Sequence, residues 1–125
     1  MSNINFAFED LEVWKKSVDF ADEVIHLIDK NIASRKHFRL VEQLEAAVIS
    51  VALNIAEGKG RQSKKEFIQF LYIARGSLFE TVTLLTIFQN NNWITQEEME
   101  ALKRHAFEIA KMLSSFISFI KRSIS

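Results

Sequence analysis

Between Leu40 and Glu57 the chain carries a helix-length segment that is apolar on nearly every side, and few folds absorb such a segment. At about 100° per residue, Leu40, Leu44, Ala47, Val48, Val51 and Ile55 form one face at the spacing of a core-facing helix. Ala46, Ile49, Leu53 and Ala56 make the opposite face apolar too, and Gln43, Ser50, Asn54 and Glu57 run as a strip between the two. A helix that is hydrophobic nearly all round is a buried helix. A four-helix bundle covers one stripe of each helix, so the second face calls for unusual enclosure within the fold or for another subunit.

The absence of proline and the presence of only three glycines favour long uninterrupted helices over a strand-and-turn fold. Helical periodicity then divides the chain into an all-α, up-down-up-down four-helix bundle, with helices at about 10–31, 38–58, 64–90 and 96–122 in one domain spanning 1–125. In the first helix Leu11, Trp14, Val18, Ala21, Ile25 and Ile28 form the main stripe, and Val13, Phe20, Val24 and Leu27 widen it to an arc of about 200°. Trp14, at the centre of that arc, reads as a core anchor. The third helix has Phe67, Leu71, Ala74, Leu78, Val82 and Leu85 as one stripe, with Phe70, Ile73, Leu84 and Phe88 beside it. Ser63 with Glu66 and Thr95 with Glu98 read as capping boxes that open helices three and four. Gly58 or Gly60 is expected to supply the left-handed residue that ends helix two, and Gly76, in mid-helix, to mark the close approach of another backbone.

Positive charge gathers around the second helix. The first 34 residues hold 3 Lys or Arg against 7 Asp or Glu, whereas residues 35–65 hold 7 against 3. Arg35, Lys36 and Arg39 precede or open helix two, where cations oppose the macrodipole. Lys59, Arg61, Lys64 and Lys65 crowd the turn into helix three, where a helix N-terminus and basic side chains converge on a place suited to a phosphate. These seven residues are the candidate nucleic-acid contacts; the competing reading is a solvated turn paired with Glu9, Asp10 and Glu12. No GxxxxGK[ST] motif is present. Asn54 and Glu57, one turn apart near the apolar face, need partners if they are drawn out of water, and Arg61, Arg75, Ser77 and Glu80 are the candidates for a structural polar network.

Three segments carry a family resemblance: DLEVW at Asp10 to Trp14, NIAEGKGR at Asn54 to Arg61, and FIQFLYIARGSLFE at Phe67 to Glu80. The chain resembles the bacterial four-helix-bundle proteins named for their coding position in intervening sequences of 23S ribosomal RNA genes. That resemblance implies an up-down bundle assembled as a homopentamer, without catalytic activity. A similar bundle is the accessory subunit of diversity-generating retroelements, where it binds nucleic acid and a reverse transcriptase. Two positions depart from the family pattern. Glu45 and Ala46 stand where a pair of arginines is common, and Ala52 and Leu53 where a proline precedes NIAEG. The missing arginines weaken the case for nucleic-acid contact by that helix.

Several chemistries are excluded. Without cysteine there is no disulfide and no thiol catalysis. Glu23 and His26 have the Glu-x-x-His spacing of a di-metal bundle, but they fall with Asp19, Asp22 and Lys30 on the solvent side, and His105 and Glu108 have the order reversed, so neither a metal nor another cofactor is expected. No nucleophile-elbow motif occurs. No signal-like segment and no apolar run of the roughly 18 to 20 residues that span a bilayer is read, which makes a cytoplasmic protein with no membrane the expectation. The balanced formal charge of zero gives the whole molecule no field toward nucleic acid. The leading reading is a non-enzymatic homo-oligomer, pentameric by resemblance, acting as a scaffold for RNA or an RNA-associated protein. A protein-binding module without nucleic acid is the first rival. A small ligand-binding or enzymatic bundle using Asn54, Glu57, Arg61 and Arg75 is the second.

Overall fold

The computed structural model describes residues 3–31 and 37–124. A short 3-10 turn at Ala7–Asp10 precedes four helices, α1 Glu12–Asn31, α2 Phe38–Lys59, α3 Lys64–Asn90 and α4 Gln96–Arg122. Each helix packs against two others, α1 and α3 both lying between α2 and α4, so the arrangement is the square of an all-α four-helix bundle.

Local chemistry explains where each helix begins and ends. The first helix starts two residues later than its apolar pattern suggests. Glu9 accepts a hydrogen bond from the Phe6 backbone N–H at 3.1 Å, which tightens this segment into a 3-10 turn before Leu11 returns to extended backbone. Phe8 then meets Trp14 edge to face at 5.2 Å. Thr95 forms the full capping box: its hydroxyl accepts from Glu98 N–H at 3.0 Å, and Glu98 accepts from Thr95 N–H at 2.8 Å. At Ser63 only half of the box forms. Ser63 Oγ accepts from Glu66 N–H at 3.1 Å and donates to the Glu66 carboxylate, which therefore does not reach the cap backbone.

Left-handed backbone appears at Asn92, φ 64°, and at no glycine among the described residues. Asn92 ends α3 in a Schellman arrangement, with Trp93 N–H donating to Phe88 C=O and Asn92 N–H to Gln89 C=O, both at 2.9 Å. Helix α2 ends differently. Gly60 keeps right-handed angles, and its N–H is shared between Ala56 C=O and Glu57 C=O. The close approach expected at Gly76 occurs instead at Gly58. A Cβ on Gly58 would stand 2.7 Å from Phe70 Cβ, while one on Gly76 would meet nothing within 4 Å.

The core runs the length of the bundle, with Phe20, Leu44, Ile55, Leu71, Leu78, Leu85, Phe88, Ile109 and Leu113 fully buried. Its axis along α1 is rotated from the expected stripe. Val13, Ser17, Phe20, Val24 and Ile28 point inward, leaving Trp14, Val18 and Ile25 half-buried on the flank toward α2 and Leu11 half-buried beside Met112 and Phe116 of α4. An arc that is apolar over more than half its circumference has no unique centre, and polar Ser17 is accommodated because its hydroxyl donates to Val13 C=O at 2.7 Å. On α3, Ile68 and Thr81 are buried while Phe67 and Val82 are half-exposed and Ile73 is open to solvent. By length and mean hydropathy of 1.3, α3 does reach the composition of a membrane span, which the averaging of Arg75 and Glu80 among long apolar stretches permits. Part of its apolar surface, including Leu71, Leu78, Leu85 and Phe88, is engaged within the bundle, while Ile73, Phe79 and Ile87 stay exposed.

The second face of α2 is not enclosed. Ile49 is 38% exposed and Leu53 61%.

Candidate functional site

Lys59, Arg61, Lys64 and Lys65 all project from the end of the bundle where α2 turns into α3. Lys64 Nζ donates to Ser123 C=O at 3.4 Å, and this contact brings the last turn of α4 against the first turn of α3. Lys121 and Arg122 therefore join the same end. Lys121 Nζ donates to the Tyr72 hydroxyl and lies 5.1 Å from the centre of that ring. Two more cations sit over aromatic faces: Arg61 at 4.7 Å from Phe70 and Lys59 at 6.0 Å from Phe67. Backbone packing produces this proximity, since Gly58 lets Phe67 and Phe70 press onto the end of α2 and carries the basic turn with them.

Few carboxylates neutralise the cluster. Glu57 pairs with Arg61 at 2.9 Å, both side chains being well exposed. Glu9, Asp10 and Glu12 do not pair with the turn; they bind the Phe6 N–H, the Asn5 amide and Lys15 respectively. Lys65 and Arg122 extend into solvent without a partner among the described residues. The other predicted cations lie elsewhere: Arg39 is exposed at the opposite end of α2, and Arg35 and Lys36 fall outside the described residues.

The candidate polar network divides into separate pieces. Asn54 donates to Ser50 C=O at 2.8 Å and to Ser50 Oγ at 2.9 Å, and Ser77 donates to the same Oγ at 2.9 Å, so Ser50 is the hub that ties α2 to α3. Glu57 belongs to the surface pair with Arg61. Arg75 turns toward α4, where it donates to Ser114 Oγ at 3.1 Å and stands 5.0 Å over the Tyr72 ring. Glu80 is exposed and takes no part. Burial and proximity to Arg75, which a catalytic Glu57 would need, are both missing.

Across the seam between α1 and α4, the two fragments read as failed metal motifs meet each other. His105 Nδ1 lies 2.8 Å from Glu23 Oε2, and Lys16 pairs with Glu108 at 2.9 Å. The hydrogen bond with Glu108 raises Lys16 above its ordinary pKa, and the same bond lowers Glu108. His26 Nδ1 approaches Asp22 C=O at 2.6 Å on its own helix. No group of three or more His, Asp or Glu side chains is placed to hold a metal among the described residues.

The family described as 23S rRNA-intervening sequence protein matches residues 9–115. The chain belongs to that family. In three dimensions the chain is similar to a crystal structure, at 1.70 Å resolution, of a protein of unknown function from the S23 ribosomal protein family of Bacteroides thetaiotaomicron VPI-5482. The two share 31% sequence identity and a TM-score of 0.79, over 84% of this chain and 97% of the other. No curated protein is matched. Within the 23S rRNA-intervening sequence protein fold, the NIAEG segment at Asn54 to Gly58 has a mechanical reading. Its asparagine holds Ser50, and its glycine occupies a point where α3 leaves no room for a side chain.

Sequence reasoning missed Lys121 and Arg122 at the basic end. Short connections between antiparallel helices place the end of α4 beside the start of α3, so topology carried the signal.

Proposed function

We propose that the chain is a non-enzymatic, homo-oligomeric bundle, a pentamer by family resemblance, that works in the cytoplasm as one domain and holds RNA on the end formed by the α2–α3 turn and the last turn of α4. One observation carries this reading. Of Lys59, Arg61, Lys64, Lys65, Lys121 and Arg122, Arg61 alone has a carboxylate partner within the subunit among the described residues. Cations without a carboxylate partner beside the N-terminus of α3 suit a polyanion, and aromatic rings beneath Lys59, Arg61 and Lys121 keep those side chains extended over the surface. Assembly of copies would repeat the patch and gain affinity through multivalency.

The test is fluorescence anisotropy of labelled single-stranded and hairpin RNA across a salt series. Binding should weaken steeply with salt, and replacing Lys59, Arg61, Lys64 and Lys65 by Gln should reduce affinity more than tenfold and flatten the salt slope. Unchanged binding by that variant would eliminate the site. If the wild-type protein binds no RNA, the remaining reading is a protein-only interaction module, which the zero formal charge and the exposed apolar grooves favour.

A further inference from the structure

Where the seam between α3 and α4 leaves the basic end, its own helices supply cations and no acid. No Asp or Glu occurs from Phe67 to Phe79 on α3 or from Ile109 to Arg122 on α4, whereas Arg75, Lys111, Lys121 and Arg122 fall in those stretches. Two of these cations converge on one ring. The Arg75 guanidinium stands 5.0 Å from the centre of Tyr72, and Lys121 Nζ, at 5.1 Å from the same centre, donates to the Tyr72 hydroxyl. Neither has a carboxylate partner among the described residues. Like charges gathered at a single ring repel each other, so the ring and Ser114 are what hold them there, Arg75 Nη1 donating to Ser114 Oγ at 3.1 Å. This arrangement orients the guanidinium. With one face toward Tyr72 and a donor given to Ser114, the half-exposed Arg75 keeps its outer face and its remaining N–H groups for something else.

We propose that the Tyr72, Arg75, Ser114 and Lys121 cluster takes an unpaired nucleotide of the RNA held at the end of the bundle, its base stacking on the outer face of the Arg75 guanidinium and its phosphate lying against Lys121. Aromatic rings and arginine planes are the surfaces on which proteins receive splayed-out bases, since every base has a π-face. The cluster is continuous with the basic end. Tyr72 lies eight residues, about 12 Å, beyond Lys64 along α3, and Lys121 is set beside that end by the contact of Lys64 with Ser123. A strand that leaves the α2–α3 turn for the α3–α4 seam therefore meets phosphate-binding cations first and a stacking position next. An A-form duplex gains less, because its bases are paired and stacked inside the helix and only its phosphates and sugar edges reach the protein. A bare phosphate gains nothing from a planar face. The consequence is selectivity for strandedness, which rests on the RNA reading of the basic end and adds to it.

The deciding experiment compares wild type with Arg75→Lys in anisotropy titrations of labelled oligouridylate and of a labelled blunt duplex RNA. Lysine keeps the charge and loses the plane. Wild type should prefer the single strand; Arg75→Lys should weaken single-strand binding about tenfold at an unchanged salt slope, and duplex binding by less than about twofold. Ser114→Ala, at an exposed helix position where alanine favours the fold, releases the guanidinium and should weaken single-strand binding about threefold. Equal losses on both RNAs would mean that Arg75 acts through the shape of the bundle, and they overturn the stacking site. A wild type that prefers the duplex overturns it as well, and so does single-strand binding that Arg75→Lys leaves undiminished. The two readings fail separately. A wild type that binds no RNA removes both, whereas binding lost on replacing Lys59, Arg61, Lys64 and Lys65 but untouched by Arg75→Lys leaves the basic end standing and removes the stacking site.

Discussion

Gly58 lies directly against Phe70: a Cβ built on the glycine would come within 2.7 Å of the Phe70 Cβ and 2.9 Å of Phe67 Cδ1. Since Phe70 Cβ is fixed to the α3 backbone, the clash cannot be relieved by a rotamer change, and Gly58→Ala must push the two helices apart. A loss of about 1 to 3 kcal/mol in urea unfolding is expected. Gly76→Ala should do the reverse, raising stability by about 0.5 to 1 kcal/mol, because its added methyl meets open space and the helix gains propensity. Equal effects of the two substitutions would show that Gly58 is not a packing contact.

Glu98 links two helix ends. It accepts from Thr95 N–H at the cap of α4 and from the Asn31 amide, at 2.8 Å, at the end of α1. The Thr95 backbone bond, followed by the Asn31 bond, lowers its pKa below the ordinary 4.5. A carboxylate whose folded pKa is depressed contributes stability that is present above 4.5 and is lost as the pH falls through the lower folded value. Glu98→Gln should therefore be less stable than wild type at pH 7, by on the order of 1 kcal/mol, with the gap closing in acid below the ordinary carboxylate range. Parallel urea curves from pH 7 to pH 3 provide the check; a gap constant with pH would remove Glu98 as its source.

Ser50 and Glu57 should respond unequally to removal, although both lie on the strip that looked like one polar network. Ser50→Ala takes away the oxygen shared by Asn54 and Ser77 in a half-buried contact between helices, at a cost of about 1 kcal/mol. Glu57→Gln breaks only an exposed pair with Arg61, where a change within about 0.5 kcal/mol is expected. A large loss at Glu57 and none at Ser50, in the same unfolding assay, would invert the assignment of the hub.

Element type and order were legible because the helices are long, strongly periodic and bounded by cap residues such as Thr95 and Ser63. Rotation was not. With Val13, Trp14, Val18 and Phe20 all apolar, periodicity marks an arc on α1 without its centre, and only packing shows that Ser17 faces inward while Trp14 borders a groove. Glycine roles were equally ambiguous: one-dimensional position cannot tell Gly76, which meets nothing, from Gly58, which meets two phenylalanines. At the basic end, the turn residues were visible as a local cluster. The contribution of α4 was not, because Lys121 and Arg122 lie far along the chain from the turn and come beside it through contacts such as that of Lys64 with Ser123.

That long-range contribution is itself testable. If RNA lies across the whole end of the bundle, Lys121 and Arg122 bind phosphates, although nothing local in sequence associates them with Lys59 to Lys65. Neutralising Lys121 and Arg122 together should weaken RNA binding and reduce the slope of log affinity against log salt by about 0.7 for each single-strand phosphate no longer neutralised. Arg39→Gln serves as the control, because it removes one cation at the far end of α2 and should leave the slope unchanged. A slope that falls equally for Arg39 and for the α4 pair would mean that RNA responds to overall charge, and would dissolve the distinction between the two ends.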